Sequence, residues 1–261
     1  MCLLAIAWKQ HPRLRLMAAG NRDEFHARPT EAAAFWPDRP DLLAGRDRTA
    51  GGTWLGLSRQ GRFAAVTNVR EADAAPGERS RGELTADFLD GGSNLSSYLE
   101  QVAVKGDQYA GFNLLLSDGE RLGYVSNRDP AGPRILEAGI YAVSNHLLDS
   151  PWPKLLRLRH RFERQLNAGR VGAESLYRLL DDREPARPQD LPDTGLPPEL
   201  ERRLSAPFVL GTEYGTRCAS LAWLWEDGIA HFRERRFDAG GHIQGESPFR
   251  FTWETGEHAS K

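Results

Sequence analysis

The chain has 261 residues, of which 40% are hydrophobic and 9% are aromatic. A chain of this length and composition can bury a large core, which excludes a disordered or fibrous protein. The 34 basic and 36 acidic residues give a formal net charge of −2. Because nucleic-acid binding depends on a basic excess, we expect no nucleic-acid partner. We expect one layered domain over residues 1–261.

The two cysteines, Cys2 and Cys218, stand far apart in the sequence. This spacing excludes a disulfide framework and a cysteine-rich zinc site. The apolar run at residues 3–8 is too short for the hydrophobic region of a signal peptide. No stretch approaches the roughly eighteen apolar residues of a membrane-spanning helix. We therefore expect no transmembrane segment and a cytoplasmic location.

Short apolar runs bounded by Gly, Asn, Asp and Pro predict β-strands in the first half of the chain. These runs cover residues 3–8, 14–19, 54–57, 63–69, 112–116, 122–126 and 135–143. Segments 81–103 and 152–180 carry apolar residues at three- and four-residue spacing, which predicts amphipathic helices that cover a sheet.

Prolines in the segment at about residues 183–207 predict a long loop without regular elements. Beyond it, residues 220–225 and 229–237 alternate around Asp227-Gly228, which predicts a β-hairpin. The order of strands, helices and strands predicts an α+β fold of stacked sheets flanked by helices.

Cys2 directly follows the initiator methionine, and removal of Met1 would place a thiol and an α-amine on one residue. Their ordinary pKa values are about 8.5 and about 7.7–8.0, so the amine can accept the thiol proton at a cost of about 1 kcal/mol. The alternative is a small buried hydrophobic residue at the start of a strand. Cys218, inside an apolar strand, is expected to be inert.

Polar residues follow Gly20 at the end of the second predicted strand. A strand beside the first would bring Asn21, Arg22 and Asp23 close to Cys2. An arginine can hold a carboxylate through two hydrogen bonds, and an aspartate can accept hydrogen bonds from an ammonium group. The alternative is a capped turn with a surface ion pair.

Asn68 and Asn145 each close an apolar run. An amide at a strand end can donate to a developing oxyanion, and one such donor is worth about 2.7–4 kcal/mol in the transition state. The alternative for each is an ordinary turn asparagine. Arg217 precedes the apolar strand that contains Cys218, either as a site residue or as a surface charge.

Other motifs give no support for further chemistry. The segment 44–53 is rich in glycine but lacks the Gly-Lys-Ser/Thr ending of a phosphate-binding loop. Asp193-Thr194-Gly195 matches the aspartic-protease triplet but lies among prolines without hydrophobic flanks. The seven histidines form no pair at helical spacing, so no metal site is expected.

Taken together, the motif blocks resemble the NRDE-motif family of transport and Golgi organisation protein 2. The blocks are Met1-Cys2-Leu3, Gly20-Asn21-Arg22-Asp23-Glu24, Gly51-Gly52-Thr53-Trp54-Leu55-Gly56, Thr67-Asn68, Ser80-Arg81-Gly82, Ser144-Asn145 and Tyr214-Gly215-Thr216-Arg217. The resemblance implies a fold similar to N-terminal-nucleophile hydrolases, a four-layer αββα sandwich of two mostly antiparallel sheets.

Within that group the chain is similar to the penicillin V acylase and bile salt hydrolase branch, which also begins with Met-Cys. The resemblance implies Cys2 as the nucleophile, Asp23 as the partner of the α-amine and Arg22 as the neighbouring arginine. The spacing departs from that branch's Arg-x-x-Asp. Asn68 and Asn145 match the amides of that site, and Arg217 matches its late arginine.

Two functions remain open at this point. In the first, Cys2 hydrolyses a non-peptide amide or a thioester of a small acyl substrate and requires no cofactor. In the second, implied by the haem and lipid handling linked to eukaryotic family members, the same cleft binds haem or an acyl lipid for trafficking without turnover. The expected ligand contacts are Asn21, Trp54 and Trp152. The two arginines near Cys2 are expected to lower the pKa of its thiol.

Overall fold

The computed structural model describes residues 2–72 and 75–253, which form two antiparallel sheets between two layers of helices. Sheet A has the strand order β10-β1-β2-β11-β12-β13. Its strands are β1 (Cys2–His11), β2 (Leu14–Phe25), β10 (Gly139–Val143), β11 (Tyr214–Trp225), β12 (Ile229–Phe237) and β13 (Ile243–Thr252). Strand β1 is internal and pairs with β2, as the sequence predicts.

Sheet B follows the chain from β3 to β9 in order. Its strands are β3 (Thr30–Trp36), β4 (Arg39–Asp47), β5 (Leu55–Ser58), β6 (Phe63–Asn68), β7 (Phe112–Ser117), β8 (Leu122–Ser126) and β9 (Arg134–Leu136).

Helices cover the outer face of each sheet. They are α1 (Arg81–Asp90), α2 (Leu95–Val104), α3 (Pro153–Asn167), α4 (Ala173–Leu180) and α5 (Pro198–Arg203). Helices α1 and α2 pack on sheet B, whereas α3 and α4 pack on sheet A. This arrangement confirms the predicted α+β sandwich with its four αββα layers. None of the helices in the described ranges combines the length and the apolar composition that a membrane-spanning helix requires.

The alternation along β1 decides which side of sheet A each side chain faces. Leu3 and Ala5 pack in the core under α3 and α4, whereas Leu4 and Ile6 pack in the core between the sheets. Successive side chains of a strand point to opposite faces. Cys2 therefore faces sheet B, at the end of β1 where the space between the sheets opens.

Several predicted boundaries are wrong for identifiable reasons. The run at 135–143 is two strands in different sheets, and each predicted long helix is two helices separated at a glycine-containing break. The proline-rich segment contains α5, because Pro197 and Pro198 stand at the start of that helix, where a missing N–H costs nothing. Strands β3, β4 and β13 are absent from the prediction.

Candidate active site

A cavity of about 410 Å³ opens between the two sheets beside Cys2. Strands β1, β2, β11 and β12 form one wall, and β4, β6 and the start of α1 form the other. Its lining includes five of the nine predicted site residues: Cys2, Arg22, Asp23, Trp54 and Asn68. Residues that are far apart in the chain thus meet at one end of the sandwich.

Cys2 lies in this wall with only 5% of its surface exposed. Its neighbour across the β1–β2 ladder is Arg22. Burial raises the pKa of the Cys2 thiol above its ordinary value, and the positive charge of Arg22 opposes that effect without overcoming it. The expectation of a lowered thiol pKa is therefore wrong, because desolvation of the thiolate outweighs the nearby arginine.

Arg22 is the central cation of the cavity and is 8% exposed. Its Nη2 lies 3.5 Å from Glu24 and 3.6 Å from Asp47, and Asp47 is also paired with Arg28 at 2.6 Å. Its Nη1 is buried and has no hydrogen-bond partner among the residues that the structure describes. The Arg22 guanidinium thus keeps donor capacity for an oxygen of a ligand.

Asp23 directs its side chain to the opposite face of sheet A, under the helices. Its Oδ1 accepts a hydrogen bond of 2.7 Å from the Thr216 hydroxyl. Burial raises the pKa of this carboxyl, and the charge of Lys154 is among the effects that oppose the rise. Because Cys2 pairs with Arg22 in antiparallel register, Asp23 continues alongside the backbone nitrogen of Cys2.

The two predicted asparagines occupy different positions. Asn68 lines the cavity, and its side-chain amide makes no hydrogen bond within residues 2–72 and 75–253. Asn145 is fully buried behind it, and its Nδ2 donates to the carbonyl of Asn68 at 3.1 Å. The Ser144 hydroxyl donates to the carbonyl of Cys2 at 2.9 Å. Asn145 and Ser144 therefore join the ends of β10, β6 and β1, and Asn68 presents its amide to the cavity.

Besides Asn145, three predicted site residues do not line the cavity. Asn21 is buried on the helix side of sheet A and donates to the carbonyls of Leu180 and Pro207. Trp152 packs beneath the guanidinium of Arg70, 4.9 Å from the ring centroid. Arg217 donates to the carbonyls of Phe25 and Arg28 and so holds the turn after β2. The structure thus brings Arg217 near Arg22 without bringing it into the cavity.

Comparison with known proteins identifies the family of the chain. The family described as Transport and Golgi organisation 2 matches residues 1–239. The chain belongs to this family. The Transport and Golgi organization protein 2 homologue of Bos taurus is 34% identical, over 99% of this chain and 98% of the relative. The Homo sapiens homologue is also 34% identical, over 90% and 92%.

A solved structure supports the fold of this Transport and Golgi organisation 2 family member. The C2A mutant of the conjugated bile acid hydrolase from Clostridium perfringens superimposes with a TM-score of 0.50 at 10% sequence identity. The match covers 97% of each chain. The four-layer arrangement is therefore that of an N-terminal-nucleophile hydrolase fold.

The structure adds residues that were not predicted as part of the site. Arg81, at the start of α1, lines the cavity and acts electrostatically on Cys2. Glu234 and Cys218 line the same wall as Cys2. Arg81 belongs to the motif block Ser80-Arg81-Gly82, and this membership is the sequence signal that could have placed it in the site. Nothing local in the sequence indicates that β12 delivers Glu234 to the same wall.

In the part of the chain that the structure describes, no cluster of three or more His, Cys, Asp or Glu residues is suited to hold a metal ion.

Proposed function

We propose that the protein hydrolyses a non-peptide amide or a thioester of a small acyl substrate, with Cys2 as the nucleophile. The observation that carries this proposal is the convergence of Cys2, Arg22 and Asn68 on one cavity of about 410 Å³. A thiol, an arginine with an unused donor and an uncommitted amide supply the groups that acyl transfer requires.

In the proposed reaction, the α-amine of Cys2, exposed by removal of Met1, accepts the thiol proton. Met1 itself lies outside the described residues. The thiolate forms a bond to the carbonyl carbon, and Asn68 donates to the oxygen that becomes negative. Collapse of this intermediate breaks the C–N or C–S bond, and the ammonium returns its proton to the leaving amine or thiolate. Water then cleaves the acyl-enzyme thioester, which releases a carboxylic acid and restores Cys2.

The lining indicates how a substrate would lie. Trp54, 8% exposed, gives the cavity an apolar surface, against which an acyl chain can pack. Arg22 and Arg81 lie on the side of Cys2, where they would hold an anionic group of the substrate. Asp23 would orient the α-amine, since β2 carries it past the backbone nitrogen of Cys2. In this proposal Asn145 and Arg217 support the cavity by fixing the segments that line it.

The solved structure with a similar fold supports the proposal of a hydrolase function. It is named as a conjugated bile acid hydrolase, and its Cys2 was replaced by alanine in the solved form. The corresponding activity in this chain requires no cofactor. We place the reaction in the cytoplasm, where Cys2 and Cys218 would stay reduced.

The competing function is carriage of haem or an acyl lipid in the same cavity without turnover. It needs Trp54 as an apolar contact and the arginines as partners for ligand carboxylates, but it does not need the Cys2 thiol. This difference allows the two functions to be separated by one set of measurements.

The experiment incubates purified protein with panels of acyl amides and acyl thioesters, and separately with haem. Intact mass first establishes removal of Met1. We expect product release and an acyl adduct on Cys2 in peptide maps, with Cys218 unmodified as an internal control. Cys2→Ala should abolish turnover and the adduct while circular dichroism stays unchanged. If the native protein shows no turnover and Cys2→Ala binds haem or lipid as tightly as the native protein does, the function is carriage and not hydrolysis.

A further inference from the structure

A second cavity lies on the other face of sheet A, at the opposite end of the strands from Cys2. Helices α3 and α4 pack on β10, β1, β2 and β11, so the outer face of β12 lies beyond them. A cavity of about 540 Å³ opens there, between the loop at residues 171–173 and the last strands of the sheet. Trp225 pairs with Leu14 and Cys2 pairs with Arg22, so about 27 Å of strand β2 separates the two sites.

The wall of this second cavity is aromatic. Trp223 and His231 are partners across the β11–β12 ladder, and directly opposite residues share one face of a sheet. The ring centroid of His231 lies 6.4 Å from that of Trp223 and 6.3 Å from that of Trp225. All three rings line the cavity. A cavity of this volume with aromatic walls is suited to a small planar molecule.

Two ring nitrogens in this wall lack a hydrogen-bond partner. The indole nitrogen of Trp223 has one, since it donates to the Val171 carbonyl at 3.0 Å. The Nε1 of Trp225 and the Nε2 of His231 are buried and have no partner within residues 2–72 and 75–253. A buried donor without an acceptor is destabilising. Because an indole nitrogen only donates, the group that Trp225 lacks is an acceptor oxygen.

The same cavity carries positive charge. Arg233 and Arg250 line it, and none of the described residues in its lining is an Asp or a Glu. Arg233 is paired with Glu246 at 3.2 Å, whereas the Arg250 guanidinium is exposed at the rim. The guanidinium of Arg13 lies 5.9 Å from the centroid of the Trp225 ring and adds a further cation beside the cavity. The charge therefore favours an anionic ligand.

We propose that this cavity is a second binding site of the protein and that its ligand is a small planar aromatic carboxylate. The aromatic part packs among the rings of Trp223, Trp225 and His231. One carboxylate oxygen accepts a hydrogen bond from the Trp225 indole, and the charge pairs with Arg250. This site is separate from the hydrolysis proposed at Cys2 and requires neither the thiol nor turnover.

The test uses 2-naphthoate as the probe and 2-naphthamide as its uncharged analogue of the same shape. Heteronuclear NMR follows the indole N–H resonances of the seven tryptophans, and Trp225→Phe identifies the resonance of Trp225. We expect 2-naphthoate to shift that resonance in a saturable manner. Equilibrium dialysis should show 2-naphthamide to bind about tenfold more weakly, because it lacks the charge.

Three variants locate the binding. Arg250→Gln, at an exposed position, should weaken 2-naphthoate binding about fivefold to tenfold without loss of folding. Arg187→Gln is the matched control, since it removes one positive charge from a side chain that is 75% exposed in the proline-rich segment. Arg187→Gln and Cys2→Ala should bind 2-naphthoate as the native protein does.

A Trp225 indole resonance that stays in place at millimolar 2-naphthoate would overturn the proposal. Equal affinities for 2-naphthoate and 2-naphthamide would also overturn it, because the site would then select no carboxylate. The same holds if Arg250→Gln and Arg187→Gln bind 2-naphthoate equally well. Loss of binding in Cys2→Ala would place the probe in the cavity beside Cys2 and would likewise reject the second site.

Discussion

Cys2 and Cys218 lie on opposite sides of one strand, and both are paired with the same residue of that strand, Arg22. Neighbouring strands are about 4.8 Å apart, so the two Cα atoms are separated by about 10 Å. A disulfide needs Cα atoms within about 7 Å. The arginine between them also keeps the two thiols apart.

We therefore predict that the folded protein forms no bond between Cys2 and Cys218 under oxidising conditions. Both cysteines are free thiols in the structure. Treatment with diamide followed by a non-reducing peptide map should recover the two peptides separately. A crosslinked Cys2–Cys218 peptide from protein that keeps its native circular dichroism spectrum would contradict the strand order.

The part of the site that follows from strand alternation could be predicted from the sequence. Strands β1 and β2 pair in antiparallel register, and an irregularity between Trp8 and His11 shifts that register by one residue, so that Arg22 lies opposite Cys2. Arg217 could not be placed in this way. Thr216 and Cys218 pair with successive residues of β2, so Arg217 is an extra residue between them. A bulge of this kind re-aims a side chain, and nothing local in the sequence reports it.

Burial of a residue by segments that are distant in the chain could not be predicted from the sequence either. Lys154 stands in an amphipathic helix among arginines, where a solvated position is the ordinary expectation. Its burial results from packing of α3 on sheet A and from the proline-rich segment that brings Leu204 to its Nζ. Asn21 was misplaced for a related reason, because its neighbours Leu180 and Pro207 come from segments more than a hundred residues away.

Arg22 should contribute to stability as well as to ligand binding. Its removal would leave Glu24 and Asp47 facing each other with less compensation. Loss of one partner from a buried ion pair costs about 3–5 kcal/mol, whereas an exposed pair is worth about 0–1 kcal/mol. We expect Arg22→Met to lower the free energy of urea unfolding by about 3 kcal/mol.

Arg28→Met is the matched control, since Arg28 shares Asp47 with Arg22 but its side chain is 33% exposed. Its loss should cost about 1 kcal/mol or less. If the two variants lose the same free energy of unfolding, burial does not strengthen the ion pairs of Arg22.

A close backbone contact holds the outer wall of the cavity. A Cβ atom at Gly52 would lie 2.4 Å from the carbonyl carbon of Gly82. The same two segments are joined by a hydrogen bond from the Thr53 nitrogen to the Gly82 carbonyl at 3.1 Å. Because a backbone must shift to admit the methyl group, we expect Gly52→Ala to cost about 1–3 kcal/mol in thermal or urea unfolding.

Gly92 provides the comparison, because a Cβ there would meet nothing within 4 Å. Gly92→Ala should change the unfolding free energy by about 0.5 kcal/mol or less. The prediction fails if Gly52→Ala is as well tolerated as Gly92→Ala.

Glu234 links the two sheets and should give the protein a specific pH dependence. Its Oε1 accepts a hydrogen bond of 2.9 Å from the Ala33 nitrogen, at an irregularity in the β3–β4 ladder. Burial raises the pKa of the Glu234 carboxyl above the ordinary value of 4.5. The folded state then binds the proton more tightly than the unfolded state. Stability is therefore greatest below the unfolded pKa and falls as pH rises through the folded pKa, by about 1.4 kcal/mol for each unit of the shift.

Glu234→Gln removes this titration and keeps an oxygen for the Ala33 nitrogen. Urea unfolding of both proteins between pH 4 and pH 8 isolates the contribution of Glu234, since the other titrating groups are common to the two. We expect the variant to gain stability relative to the native protein as pH rises, with the difference levelling above the folded pKa. Parallel curves over the whole range would mean that the carboxyl keeps its ordinary pKa despite burial. A difference that grows as pH falls would mean that hydrogen bonds to the carboxylate outweigh its desolvation.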